Sequence, residues 1–386
     1  MNKIMKKNMV FVVLVFLAAG CAFGTRAADT GKGPAAKEAG GKSYKLLKVD
    51  NPEYRANTRF LKQEDITSQR FKEILRLYKI DQLIAGEKDE FKQMLMLRHW
   101  LREHIVTDKS KPAVGNEALA YLREGPKGGA YHCGHFSTAQ TAVMNAVGFV
   151  SRRILCGPGG QGPRNSGIHG ATEIWCNSLC KWVMFDAEWD THFEKDGVPL
   201  SALEIRDELQ ADGAKKIVRV QGIERKAIPF YEDGGYGGSP MTYNWVSWWL
   251  EQNGHTIWPK KQQSSSIEVL YNDDYCRENL WYRSGKKHWA YDAGFFRYED
   301  NRKVIEWTPN VLKVDAVIAG DVMKVQIVSS TPNLKGYRMR EKGGEWRDID
   351  DKFELKLSGD GGRWELKSVN VMGVCGPVYR LVVGIE

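Results

Sequence analysis

The chain has 386 residues, 42% of them hydrophobic and 27% charged, enough for two or three domains with sizeable cores. Its net charge is +8, and setting aside Lys3, Lys6 and Lys7 of the N-terminal segment leaves +5, with no long Arg/Lys cluster. That argues against nucleic acid as a partner, because a phosphate footprint needs cations concentrated on one face.

Residues 1–28 read as a signal peptide. Three lysines precede an unbroken apolar run from Met9 to Ala19, which is too short to span a bilayer. Leu17-Ala18-Ala19-Gly20-Cys21 resembles a bacterial lipobox, which implies a membrane tether through lipidated Cys21; cleavage near Ala27-Ala28 is the alternative. Residues 29–43, rich in Gly and Ala and poor in large apolar groups, read as a disordered tether. The protein is thus expected to be exported, to a periplasm or cell envelope. There Cys176 and Cys180 would be placed to bridge across a turn, although spacing alone does not set the pairing of the cysteines.

Residues 44–310 are expected to form one domain. Helical periodicity spans about Ser68 to Leu83 and Asp89 to Ile105, the second with Phe91, Leu95, Trp100, Leu101 and Ile105 on its apolar side. A loop with three glycines and a proline, Arg123 to Gly129, leads to Tyr131-His132-Cys133-Gly134-His135-Phe136. Phe136, Ala139, Val143, Met144 and Val147 then recur on one helical face, and Gly148 stands where the helix would stop. Cys133 therefore falls at a helix N-terminus, where free N–H groups and the helix dipole favour a thiolate. No second ligand pair at zinc spacing accompanies His132 and His135, so neither metal nor cofactor is expected; both histidines are placed beside the cleft.

Two strand-like runs follow, His169 to Trp175 and Lys181 to Asp186, joined by a short polar turn as in a hairpin. Pairing would bring His169, at the start of one strand, to Asp186, at the end of the other. A thiol, an imidazole and a carboxylate in that order supply a nucleophile, a general base and a group that fixes the base's tautomer.

Residues 230–310 are rich in aromatic side chains and contain Gly234-Gly235-Tyr236-Gly237-Gly238. Trp245, Trp248 and Trp249 stand at helical spacing and read as a packed helix face, while Tyr243, Trp281 and Trp289 are the candidates for a substrate-binding wall. From residue 311 to 386, short alternating runs beginning at Val322, Tyr337, Phe353, Trp364 and Tyr379 are separated by Gly/Asp turns, the pattern of a small β-sandwich. Its ending, Asn370 to Pro377, resembles the last hairpin of immunoglobulin or fibronectin-type modules.

The segment Gly129–Asp186 resembles the transglutaminase-like superfamily, a papain-related group. The likeness rests on Ala130-Tyr131-His132-Cys133, on Val143-Met144-Asn145-Ala146-Val147-Gly148 leading to Arg152-Arg153, on His169-Gly170-Ala171-Thr172-Glu173-Ile174-Trp175, and on Lys181-Trp182-Val183-Met184-Phe185-Asp186. It implies an α+β papain/transglutaminase-like core, with Cys133 as nucleophile, His169 as base and Asp186 as orienter. Tyr131, Gly170-Ala171 and Ala187-Glu188 depart from the family pattern beside these three residues. The expected activity is hydrolysis of amide bonds, in a peptide, glycopeptide or cell-wall peptide, through a thioester acyl-enzyme. A cross-linking acyl transferase and a non-catalytic glycan- or protein-binding module are the alternatives.

Overall fold

The computed structural model describes residues 43–47, 51–158, 168–230, 237–250, 268–279 and 296–385. The expected signal peptide with Cys21, the tether up to residue 42, and Trp281 and Trp289 lie outside these residues. Among the described residues no helix is long and apolar enough to cross a membrane.

Helices α1 (Gln69–Tyr78) and α2 (Ile80–Ile84) replace the single helix expected there, because Lys79 turns left-handed at φ 49° and breaks the run. Helix α3 (Glu90–His104) begins where Asp89 accepts the N–H groups of Phe91 and Lys92 as its N-cap. Trp100 on it is a packing residue, stacked on His104 and tilted against Tyr78. After α4 (Ala118–Glu124) comes α5 (Cys133–Ala146), buried along its whole length from Gly134 onward. Its polar residues tolerate burial by bonding back to the helix: Thr138 Oγ1 donates to Gly134 O at 2.7 Å and Thr141 Oγ1 to Ser137 O at 2.9 Å. Gly148, at φ 92°, turns the chain out of it.

Strand β1 (Tyr44–Leu47) belongs to a later sheet. The central sheet contains β2 (Ser151–Gly157), β3 (His169–Cys176) and β4 (Lys181–Phe185), which are antiparallel neighbours in that order. A four-stranded sheet follows, built from β5 (Thr191–Lys195), β6 (Val198–Pro199), β7 (Ile217–Gln221) and β8 (Lys226–Ile228), with helix α6 (Ala202–Asp212) between β6 and β7. Then β9 (Trp245–Trp249), β10 (Glu268–Tyr271) and β11 (Phe296–Glu299) complete the central sheet in the order β11-β10-β9-β2-β3-β4. Helix α5 packs on β2 and β3.

The tryptophan cluster corrects the sequence reading. Trp245, Trp248 and Trp249 lie on β9, an interior strand between β2 and β10 with all five residues buried. A strand covered on both faces shows no alternation, so its apolar run does not reveal its period. Cys176 and Cys180 flank the β3–β4 turn as expected, but both are free thiols.

The C-terminal region forms two facing sheets. One is β12 (Leu312–Ala319), β13 (Val322–Ser329) and β16 (Lys352–Lys356); the other holds β14 (Leu334–Glu341), β15 (Arg347–Ile349), β17 (Gly362–Asn370) and β18 (Tyr379–Ile385). Met323, Val325, Ile327, Met339, Leu366 and Leu381 fill the space between them, as the alternating pattern predicts. Strand β1 pairs with β18, so residues 44–47 extend this sandwich, although the sequence placed them with the domain before it. Asn370 Nδ2 donates to Gly148 O at 2.8 Å, tying the sandwich to the end of α5.

Candidate active site

Cys133 is the first residue of α5 and is half-buried. Its own N–H is thus among those a helix leaves without an internal partner. His132 caps the helix: its Nδ1 accepts the Gly134 N–H at 3.3 Å, and the His132 N–H donates to His135 Nδ1 at 3.0 Å. His135 is therefore a structural residue rather than a cleft residue. It is buried, its ring meets Tyr121 and Tyr131 edge to face, and burial together with His132 pushes its pKa down to about 3.

Across from the thiol, β3 presents His169, fully buried. Its Nε2 donates to Asp186 Oδ2 at 2.7 Å. The hairpin register pairs Thr172 with Phe185, which carries Asp186, one residue past β4, to the His169 end of β3. With Nε2 occupied, Nδ1 is the nitrogen left to the thiol, and no other group hydrogen-bonds it. Cys133 Sγ and a His169 ring nitrogen lie within 4.8 Å of each other.

Burial alone would push the Cys133 thiol up. Contacts with His132 and His169, the His169 charge and the Gly170 N–H together overturn that and bring its pKa down to about 5. His132 Nδ1 stands 3.9 Å from Sγ and already accepts the Gly134 N–H, so His169 is the cation that counts. Burial works against a charged His169 as well, yet the Asp186 carboxylate and the thiolate raise its pKa well above the ordinary value. The arrangement sets the Cys133 thiol beside the His169 ring, with the Asp186 carboxylate behind it, and the two shifts run in the directions that favour a thiolate and an imidazolium.

Two glycines make the approach of these parts sterically feasible. A β-carbon on Gly170 would crowd Ser137 Oγ at 3.3 Å, so this residue lets β3 lie against the start of α5. Gly237, at φ 69°, sits directly on the His169–Asp186 pair; a β-carbon there would lie 2.6 Å from Asp186 Oδ2 and nearer still to His169 Nε2. The glycine-rich stretch was visible in the sequence, but its partner was not.

The thiol opens into a cleft of about 820 Å³. Tyr131, Leu155, Ile168, Trp189 and Trp249 give it apolar walls, with Arg153 stacked 4.1 Å over the Trp249 ring and Arg102 and Lys109 also on the lining. Tyr243 lies elsewhere: fully buried, it packs edge to face against Phe193, and its hydroxyl donates to Met184 Sδ at 3.3 Å. The candidate wall residue is a core residue, because a short 3₁₀ turn (Pro240–Tyr243) points it into the interior.

In the sequence Glu188 stands out only as a departure from the family pattern. It lines the same cleft, and its carboxylate, Cys133 Sγ and a His169 nitrogen lie mutually within 4.8 Å. Burial pushes its pKa up to about 7; the His169 charge opposes that shift, and those of Asp186 and Cys133 add to it. Three such ligand atoms, with Asp186 behind His169 as an outer partner, are also spaced as a divalent-cation site, the one such cluster among the described residues. Strand parity does not reach Glu188, which lies in the turn after β4, so no periodic signal in the sequence could have found it.

Residues 79–187 match the profile of the Transglutaminase-like superfamily. A protein from Cytophaga hutchinsonii, provisionally described as a cysteine protease, is similar to this chain at 14% identity and TM-score 0.25. The match covers 34% of this chain and 40% of that one, so the chain spans less than half of that protein's length. Red sea bream transglutaminase is similar at 11% identity and TM-score 0.26, over 88% of this chain and 77% of that one. No curated protein matches the chain.

Proposed function

We propose that this chain, which carries a transglutaminase-like domain at residues 79–187, is a cysteine hydrolase that cleaves amide bonds through a thioester. The observation that carries the reading is the state of Cys133: a thiol on the first turn of a buried helix, facing the free nitrogen of His169, with its pKa brought down to about 5. A low-pKa, accessible thiolate is the hallmark of a reactive rather than a structural cysteine.

In this mechanism Cys133 Sγ attacks the substrate carbonyl, and a C–S bond forms as the carbonyl oxygen takes up negative charge. The Cys133 N–H at the head of α5 is available to that oxygen. His169 Nδ1 then gives its proton to the departing amine as the C–N bond breaks. Asp186 keeps the ring oriented and compensates its charge during both steps. Water resolves the thioester. The apolar walls with Arg153 on Trp249 suit an extended peptide or glycopeptide that offers side chains and a polar group. The lysines and apolar run of residues 1–19 support export to a periplasm or cell envelope, tethered through Cys21, where cell-wall peptides would be the substrate class.

The test is alkylation of the purified protein by iodoacetamide across pH, read by peptide mass spectrometry, with His169→Ala as control. Fast labelling of Cys133 near pH 6 that slows in the variant is expected. A Cys133 that reacts only near its ordinary thiol pKa would sink the proposal.

A further inference from the structure

The scheme above leaves one group in the cleft without a task. Glu188 stands in the turn from Asp186 to Thr191, whose ends exchange both backbone hydrogen bonds at 2.9 Å. Asp186 Oδ1 accepts the Glu188 N–H at 3.0 Å, so the carboxylate that orients His169 also fixes the backbone of Glu188. That turn follows directly on β4 and brings the Glu188 carboxylate within 4.8 Å of both Cys133 Sγ and a His169 ring nitrogen. Neighbouring carboxylates are paired: Asp190 with Arg98 and His99, Glu194 with Arg225 and His192. The Glu188 carboxyl has no hydrogen bond or ion pair among the described residues, and it opens on the cleft beside the thiol.

Three atoms mutually within 4.8 Å lie no more than about 2.8 Å from a common centre (4.8 Å divided by √3), so a small molecule seated over that centre reaches His169 and Glu188 at hydrogen-bonding distance. A small molecule there touches His169 and Glu188 while lying against any acyl carbon carried on Sγ. We propose that Glu188 holds the acyl acceptor, the water or primary amine that resolves the thioester, against His169 Nδ1. This rests on the thioester reading of Cys133.

The acceptor donates one X–H to the Glu188 carboxylate and the other to Nδ1. Its oxygen or nitrogen attacks the thioester carbon and a C–X bond forms. The X–H proton passes to His169 Nδ1, the C–S bond breaks, and sulfur leaves as the thiolate of the resting ion pair. Glu188 gains no net proton. Acceptors with two X–H bonds are served by both groups, whereas a neutral secondary amine has only one to offer. The site therefore favours water and primary amines over secondary amines.

The experiment uses the full chain and p-nitrophenyl acetate, with the burst reporting acylation of Cys133 and the steady state reporting its release. Ethylamine and dimethylamine are added in turn, and their acetamides are read by mass spectrometry. Wild type should form the ethylamide readily and the dimethylamide poorly. Glu188→Leu should keep the burst and slow release about tenfold or more, the loss of one charge-assisted hydrogen bond. Glu188→Gln, which retains an acceptor oxygen, should fall between. A variant with the burst and wild-type release, or one that loses the burst, overturns the role of Glu188 in the second step. No burst in the wild type removes the thioester itself, a result distinct from either.

Discussion

Gly237→Ala tests the geometry at its tightest point. The new β-carbon would stand 2.6 Å from Asp186 Oδ2 and nearer still to His169 Nε2, and ordinary contact begins near 3.4 Å, so more than about 0.8 Å must be found. If the side chains give way, both ends of the 2.7 Å bond between His169 and Asp186 are displaced and its geometry is lost. If the backbone gives way, the pair is uncovered to water. Either way His169 loses its orienter, and a misplacement on the order of 1 Å costs about 100-fold in rate. In the limit of a lost imidazolium the thiol would return from about 5 toward 9. At pH 6 the thiolate fraction would then fall roughly 900-fold, while the more basic thiolate regains about 40- to 100-fold in nucleophilicity. Iodoacetamide labelling at pH 6 should slow by roughly ten- to twentyfold. Gly213→Ala is the control: at φ 75° it carries the same left-handed backbone cost of about 1–2 kcal/mol, but no atom lies within 4 Å of its β-carbon. A Gly237→Ala protein that labels with the wild-type pH profile would refute the close approach.

Asp186→Asn keeps the shape of the orienter but removes its charge, so the His169 pKa should fall and the thiol pKa rise. Hydrolysis should drop by about 10²- to 10⁴-fold with a rightward shift of the alkylation profile, and an unmoved profile counts against the pairing. Arg152 and Glu173 are both buried on β2 and β3, with Trp248 Nε1 and the Ala202 N–H also donating to the glutamate. Arg152→Met strands the carboxylate and should cost about 3–5 kcal/mol in urea unfolding; a loss under about 1 kcal/mol would contradict the reading. His192, buried between Arg98 and Glu194, has its pKa held at about 4, mainly by burial. Between that value and about 6.5 the unfolded chain binds the extra proton, so this stability is complete above pH 6.5 and is lost as pH falls toward 4. The contribution is about 3 kcal/mol, visible as a falling urea midpoint that is shallower in His192→Gln.

What could be read before folding was local. Apolar spacing places α3 from about Asp89, Gly148 stops α5, and the placement of Cys133 at a helix head follows from the same kind of spacing over a dozen residues. Hairpin pairing links His169 to Asp186 because their separation of 17 residues is closed by a single turn. The alternating strands of the sandwich also declare themselves, since each buries one face only.

The rest required the third dimension. The strand β1 finds β18 more than 330 residues away, and nothing in four residues encodes that partner. His132 and His135 look equivalent in sequence, but one helical turn sends the second under Tyr121 and Tyr131. Tyr243 and Trp249 are six residues apart in one aromatic stretch, yet only the tryptophan reaches the cleft, because a turn and a strand aim them oppositely. Gly237 and Glu188 acquire meaning only from what they face. The sequence determined which atoms could do chemistry; burial, register and the closeness of unrelated segments decided which of them meet, because distance in space is set by packing and not by order along the chain.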